Sequence, residues 1–492
     1  MSVSRARATA FDVLSRVEAE GAYASDILHR ELTAASRSKA LGSTHTMHAA
    51  EITSPDAALA TELTLGVLRW RRLLDFLLAR QLKKPPGGGA QSPESLLTRL
   101  DLPVAIALRM GLYQLLFLKR IPARAAVSES VELVKRARKR SASSLVNAVL
   151  RRAASDVASG EAPGVIAAAA KLLPQTLSSA ERLGILHSHP TWLVERWLAR
   201  LGEQRTIRIL EANNRAPRLT CAIRDINRRE EILASLEKAG LHVEPGAFLE
   251  TAITVRGGSA FRTEAFGQGL ISIQDEASQL VPLLLGVRAG ERVLDLCAAP
   301  GGKTRILARH AGEAGVVVAA DLHPHRLRAM REQFGRLGML WIGVVQLDAG
   351  QPLPFRPTFD RVLVDAPCSG TGTLARHPEI RWRLKGGDLQ GFHQLQTAML
   401  RSALDVLAPG GRLVYSTCSL EPEENEEVIA EALKLRDDVR AVATSRIAES
   451  LSVDLASGVN ARSLLDTSGY FRTIPGIHPT DGFFAAALER RS

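Results

Sequence analysis

The chain has 492 residues, 46% of them hydrophobic, and a formal net charge of +11. The apolar fraction argues against intrinsic disorder, and four scattered cysteines without Cys-x-x-Cys spacing argue against a disulfide scaffold or a zinc site, so no metal is expected. No uninterrupted apolar run approaches the roughly 20 residues of a membrane span, which leaves a soluble cytoplasmic protein as the expectation, with a polyanion as the partner that the positive charge favours.

Residues 1–155 read as all-helical. Ala10, Val13, Leu14 and Val17 recur at the spacing of one helix face, and Leu59, Leu63, Val67, Leu74, Leu77 and Leu78 repeat that spacing. Pro103 suits the first turn of a third helix running to Leu118, and a fourth covers Ser143–Ala153. Residues 31–56, rich in Ser, Thr, Ala and His, read as a loop, and Lys83–Pro93 as a turn. Between Lys119 and Arg152 ten Lys or Arg stand against Glu129 and Glu132 alone. Such a run is a solvated helix face or a phosphate-binding surface, and the clustering favours the second.

Residues 156–186, which begin rich in Ala, Gly and Pro, read as a linker. Residues 187–272 turn mixed and read as a small α+β module. Leu219–Ile223 is strand-like, Arg228–Ala239 is helical, and Gly240 is a stop signal. From residue 273 to 492 the pattern is strand–helix–strand. Strands are expected at Arg292–Leu296, Val316–Asp321, Ile342–Leu347, Arg361–Asp365 and Arg412–Ser416, and helices at Lys303–His310, Pro324–Leu337 and Leu389–Leu407. Short apolar strands alternating with helices predict a parallel, doubly wound, Rossmann-like sheet. Residues 436–468 carry little pattern before a last strand.

The chemistry-bearing residues fall at expected strand ends. Asp295-Leu-Cys297-Ala298-Ala299-Pro300-Gly301-Gly302-Lys303-Thr follows a strand and opens a helix, and its glycines let backbone approach a ligand. Asp321 ends the second strand, where a ribose hydroxyl pair would sit, and Asp348 follows the third, where it could face an adenine. A glycine turn with a distal acid also fits a dinucleotide enzyme, but the turn lacks the G-x-G-x-x-G spacing. Asp365-Ala-Pro-Cys368-Ser-Gly-Thr-Gly and Tyr415-Ser-Thr-Cys418-Ser end the fourth and fifth strands. Two cysteines at neighbouring strand ends suit covalent catalysis on cytosine. Carbon-5 is too electron-poor to attack a methyl group unless a thiolate first adds to carbon-6. Asp365, if it holds or shares a proton, can neutralise charge at ring nitrogen-3.

These motifs resemble those of the bacterial RsmB family of small-subunit rRNA cytosine-5 methyltransferases, within the wider Nop/Sun group. The likeness rests on the two cysteine motifs and the glycine turn, and on Gln274-Asp-Glu-Ala-Ser-Gln, Arg376-His-Pro-Glu-Ile-Arg-Trp, Pro422-Glu-Glu-Asn and Asp481-Gly-Phe-Phe. Gly66-Val-Leu-Arg, Gly111-Leu-Tyr-Gln-Leu-Leu and Val146-Asn-Ala-Val-Leu-Arg resemble the helical domain related to the antitermination factor NusB. The resemblance implies a class I methyltransferase domain at 273–492, preceded by an RNA-binding α+β module and a NusB-like RNA-binding domain. It implies that Cys297 to Lys303, Asp321, Asp348 and Asp365 line an S-adenosylmethionine site. It implies further that Cys418 is the nucleophile, that Cys368 aids release, and that a monomer acts on 16S rRNA, unassembled or early in assembly. Arg376, His377, Arg381, Trp382 and Arg383 are read as a loop that grips RNA, with a structured core loop as the alternative. Three other readings compete: a non-catalytic RNA-binding or antitermination-type module that keeps the fold, a DNA cytosine methyltransferase using Cys368 as nucleophile, and a nicotinamide dehydrogenase.

Overall fold

Helical periodicity in the first third of the sequence is realised as a bundle. The computed structural model describes residues 3–37, 54–82, 97–156 and 162–492. They divide into two units, Met1–Arg215 with Leu374–Arg383, and Ala216–Thr373 with Leu384–Ser492.

In the first unit helices run over Arg5–Glu20, Ala24–Arg37, Ser54–Ala79, Leu102–Phe117, Ala123–Arg136 and Ser143–Asp156. Leu102–Phe117 is apolar all round and is the buried centre of the bundle. Its neighbours come close at glycines. A Cβ on Gly66 would stand 2.1 Å from the Tyr113 ring, and one on Gly111 would stand 2.4 Å from Leu150. Inside the bundle Arg109 pairs with Asp75 at 2.7 Å and Glu18 at 2.8 Å. Burial pulls its pKa down, but the two carboxylates outweigh that and hold it above its ordinary value.

Residues 156–186, expected as a linker, are largely helical. Ala162–Ala170 and Ser179–Leu186 contribute Val165, Ala169 and Ile185 to the bundle core, and Ser178 with Glu181 forms a capping box. Alanine, counted as a linker residue, is also the best helix former. The loop expected at 31–56 contracts in the same way, since helices reach Arg37 and resume at Ser54. Its remainder, and the whole of the turn expected at Lys83–Pro93, lie outside the described residues.

Leu374–Arg383 belongs to the helical unit, and for Arg381, Trp382 and Arg383 it corrects the reading as RNA grips. Arg381 is buried and donates to the carbonyls of Arg69, Ser188, Asn213 and Leu374 and to Asn214 Oδ1. Burial brings its pKa down to about 9. Trp382 Nε1 donates to Leu68 O at 2.8 Å, and Arg383 donates to the carbonyls of Val17, Gly21 and Ala22. A guanidinium offers five donors, which suits unpaired carbonyls as well as phosphates, so composition could not separate the two uses.

The second unit holds two sheets. The strands β1 (Leu219–Ile223), β2 (His242–Pro245), β3 (Ala252–Arg256) and β4 (Ile271–Ile273) form an antiparallel sheet of order β2-β3-β1-β4, covered by the Arg229–Lys238 helix through Ile232 and Leu236. The larger sheet contains β5 (Arg292–Asp295), β6 (Val316–Asp321), β7 (Gly343–Gln346), β8 (Phe359–Asp365), β9 (Leu407–Thr417), β10 (Val439–Ala441), β11 (Phe471–Thr473) and β12 (Phe483–Arg490). Its order is β10-β12-β9-β8-β5-β6-β7, with β11 also on β12. β5 to β9 are parallel, and β10 to β12 close the sheet antiparallel. The fold is thus a class I methyltransferase domain behind a small α+β module and a helical domain. The order reverses between β5 and β8, and ligands of such sheets bind beyond the strand ends at that point. No helix among the described residues is long and apolar enough to cross a membrane.

Candidate active site

The parallel strand order lays the expected residues along one edge: Asp348 beyond β7, Asp321 at the end of β6, Asp295 and the glycine turn after β5, Asp365 at the end of β8, and Cys418 just past β9. At the reversal point Lys303 Nζ donates to Asp365 Oδ2 at 2.6 Å, and Ser416 Oγ donates to Asp365 Oδ1 at 2.7 Å. Burial pulls the Lys303 ammonium down, and the Asp365 carboxylate more than offsets it, so its pKa is raised. The Phe483 ring of the Asp481-Gly-Phe-Phe motif lies 5.2 Å below the ammonium. Both Asp365 oxygens accept hydrogen bonds, one of them from an ammonium group.

The two cysteines meet. Cys368 Sγ and Cys418 Sγ are 3.2 Å apart as free thiols, both partly exposed. The contact with Cys418 and then burial push the Cys368 thiol well up. Of the other two, Cys221 is a core residue of β1, raised to about 12 by burial, and Cys297 in the glycine turn is also pushed up by burial.

The glycine turn has the features of a ligand cradle. Gly301 has φ +100°, and a Cβ there would stand 2.8 Å from Phe334; one on Gly302 would stand 3.1 Å from the Gln274 amide. Ala298 and Ala299 are buried, and Pro300 is exposed at the lip. Asp295 is fully buried and accepts from Thr304 Oγ1 at 2.7 Å, while its Oδ1 and Gln274 Oε1 are buried without a partner among the described residues. Burial raises Asp295 to about 7. Asp321 is 3% exposed, accepts from His323 N at 3.0 Å and pairs with Arg326 at 3.2 Å. The turn after β6 folds back over its carboxylate. Asp348 is exposed and accepts from Gly350 N at 2.9 Å. Free acceptors beside a side-chain-free turn, with acids on the next strands, fit a ligand carrying an ammonium group and hydroxyls.

One residue that sequence reasoning set aside stands at the centre of the cysteine loops. Glu424, one of four acids at 423–427 that look like the acidic first turn of a helix, is fully buried. It accepts from Ser369 N at 2.7 Å, from Gln396 Nε2 at 3.0 Å, and from the hydroxyls of Ser369 and Ser419. Burial raises its pKa and the hydrogen bonds oppose the shift. It thereby ties the residue after Cys368 to the residue after Cys418. Asn425 completes the clip by donating to Ser419 O at 2.9 Å and accepting from Thr417 Oγ1. Pro422-Glu-Glu-Asn is therefore a support for both thiols, and only the quoted motif itself signalled it. Glu276 of the Gln274 motif plays a comparable part, accepting from the backbone amides of Ala247, Phe248 and Leu249.

Comparison with known proteins agrees with this layout. The family described as 16S rRNA methyltransferase RsmB/F matches residues 282–489, the NusB family matches 4–155, and the ferredoxin-like domain of RsmF/B-like methyltransferases matches 189–262. A ribosomal RNA small subunit methyltransferase B from Klebsiella pneumoniae is 32% identical over 90% of this chain and 92% of its own. Among solved structures, a methyltransferase homolog from Pyrococcus horikoshii is 32% identical with a TM-score of 0.51, over 64% of this chain and 100% of that one. The structure named PH0851 superposes with a TM-score of 0.70 at 26% identity, over 89% of this chain and 91% of that one.

Proposed function

Because the chain belongs to the RsmB/F family of 16S rRNA methyltransferases, we propose that it methylates carbon-5 of a cytidine in small-subunit rRNA through a cysteine–cytosine adduct. The observation that carries this reading is the pair of thiols 3.2 Å apart beside the Lys303–Asp365 ion pair. Methylation of an amino group or a ribose needs no thiol, whereas carbon-5 chemistry needs one to attack and a means to release it. S-adenosylmethionine, the cofactor of this methyltransferase, supplies an electrophilic methyl group when bound. The turn from Cys297 to Lys303 would hold its amino-acid end, Asp321 its ribose and Asp348 its adenine.

The chain's own residues then divide the work. Cys418 Sγ forms a bond to carbon-6, and the ring electrons move toward nitrogen-3, where a proton arrives from the Lys303–Asp365 pair. Carbon-5, now nucleophilic, accepts the methyl group. A base takes the carbon-5 proton, the electrons of that bond restore the 5,6 double bond as the bond from carbon-6 to the Cys418 sulfur breaks, nitrogen-3 returns its proton to the Lys303–Asp365 pair, and the Cys418 thiolate is regenerated, with Cys368 serving this elimination. Attack is assigned to Cys418 by the family resemblance of Ser416-Thr-Cys-Ser. The pair of single variants tests the order. Cys418→Ala should give neither product nor adduct, and Cys368→Ala should accumulate a protein–RNA adduct that survives denaturing electrophoresis. The reverse pattern would exchange the roles, and the absence of any adduct in either variant would remove the covalent mechanism.

A further inference from the structure

At the end of β8 and β9 remote from the thiols, two arginines stand side by side. Arg361 and Arg412 are Cα partners in the parallel pair, each four residues before the residues that meet at the site, Asp365 and Ser416. At ~3.3 Å per residue they lie roughly 13 Å down the strands. Both are largely out of water, with 13% of the Arg361 side chain and 7% of Arg412 exposed. Arg361 has one carboxylate partner, Glu291 at 2.7 Å, and its buried Nε has none. Arg412 donates to Leu284 O at 3.1 Å and Ser450 Oγ at 2.9 Å and has no carboxylate partner among the described residues. Like charges paired across strands destabilise a fold, and here Glu291 beside Arg361 and Glu489, the Cα partner of Arg412 on β12, offset them only in part. Burial first, and then Arg361 and Arg446, bring Arg412 down to about 10 against the opposing effect of Glu489.

These guanidiniums open onto a cavity of about 400 Å³, which Arg288 and Arg446 also line, with His310 and one carboxylate, Glu449, in the same wall. Gly286 forms part of its wall in a left-handed conformation, φ +57°; a Cβ there would stand 2.7 Å from Ser450 Oγ and 3.1 Å from Arg412 Nη1. The wall is therefore kept clear where the Arg412 head is fixed. We propose that this cavity is a phosphate-binding site separate from the thiol site, taking a phosphate ester of either a free nucleotide or RNA. The guanidinium fork matches phosphate oxygens, and the volume lies within the roughly 300–1,000 Å³ of small-ligand sites. An anion there removes the repulsion that the empty arrangement carries.

The probe is pyrophosphate, titrated calorimetrically into the full chain at low ionic strength. The wild type should bind it saturably. The double variant Arg288→Ala/Arg446→Ala, which touches only exposed rim residues, should bind at least tenfold more weakly while its S-adenosylmethionine affinity stays the same. A single-stranded rRNA fragment that displaces pyrophosphate assigns the site to an RNA phosphate, and one that does not assigns it to a free phosphate ester. No saturable binding by the wild type, or wild-type affinity in the double variant, overturns the proposal.

Discussion

Asp295 carries a charge problem that the rest of the site does not. Its carboxyl group is fully buried with one hydroxyl donor, and burial raises it to about 7 from an ordinary 3.8. The folded state therefore keeps a proton that the unfolded chain releases, so this group's contribution to stability is full below about pH 4 and is lost as pH rises through about 7. A shift of this size corresponds to roughly 4 kcal/mol at most. Asp295→Asn should gain on the wild type in melting temperature at pH 8 relative to pH 5, and parallel melting curves at the two pH values would disprove this. For Asp321 the expectation concerns binding. Its loss should weaken S-adenosylmethionine binding about tenfold or more, the worth of a hydrogen bond to a charged group, with the fold retained because Arg326 is half exposed. Wild-type affinity by calorimetry would take Asp321 out of the site. Cys368 and Cys418 were legible in sequence as neighbours because their motifs end two expected strands. Glu424 was not, since Glu423, Glu424, Glu426 and Glu427 look alike until folding buries one between two loops.

Among elements, the parallel half of the large sheet was readable to within two residues except at β9, which begins at Leu407, five residues before the expected start, because buried parallel strands are apolar runs with few alternatives. Val316–Asp321 falls as expected, and β8 begins two residues early. Of the antiparallel half, only a last strand without bounds was expected. β12, Phe483–Arg490, contains three successive alanines and is a strand only because β9 and β10 flank it. The clip between the cysteine loops gives a sharp expectation at this scale. Glu424→Ala leaves Ser369 N and the buried serine hydroxyls without their acceptor and should cost about 3 kcal/mol of stability. It should also abolish adduct formation, whereas Glu424→Gln should restore part of it. A Glu424→Ala protein with wild-type adduct yield would show that the loops hold their geometry without the clip. Similarly, Arg381→Met should lower the melting temperature and leave RNA affinity nearly unchanged, because its donors are spent on buried carbonyls.

At the scale of the whole molecule, the +11 charge is concentrated on one run. Of the ten basic residues from Lys119 to Arg152, Lys135, Arg136 and Lys139 already pair with Glu132, Asp12 and Asp101. Arg120, Arg124, Arg138 and Arg140 are exposed. Replacing these four with Ala should flatten the salt dependence of RNA binding by up to about 3 in slope, at roughly 0.7 per single-strand phosphate. An unchanged slope would place the RNA elsewhere. Removing residues 1–155 outright is a poorer experiment, because the helices at Ala162–Ala170 and Ser179–Leu186 would lose the core they complete. The Leu374–Arg383 segment has a further consequence, which concerns the ribosome making this protein. The helical unit is encoded almost entirely before Arg215, yet its last ten residues are translated only after 158 residues of the other unit. At roughly 5–20 residues per second, the bundle waits about 8–30 s for the piece that fills Arg381's ring of carbonyls. A nascent chain stalled at residue 215 should thus be cut by protease at sites that a chain stalled beyond residue 383 protects.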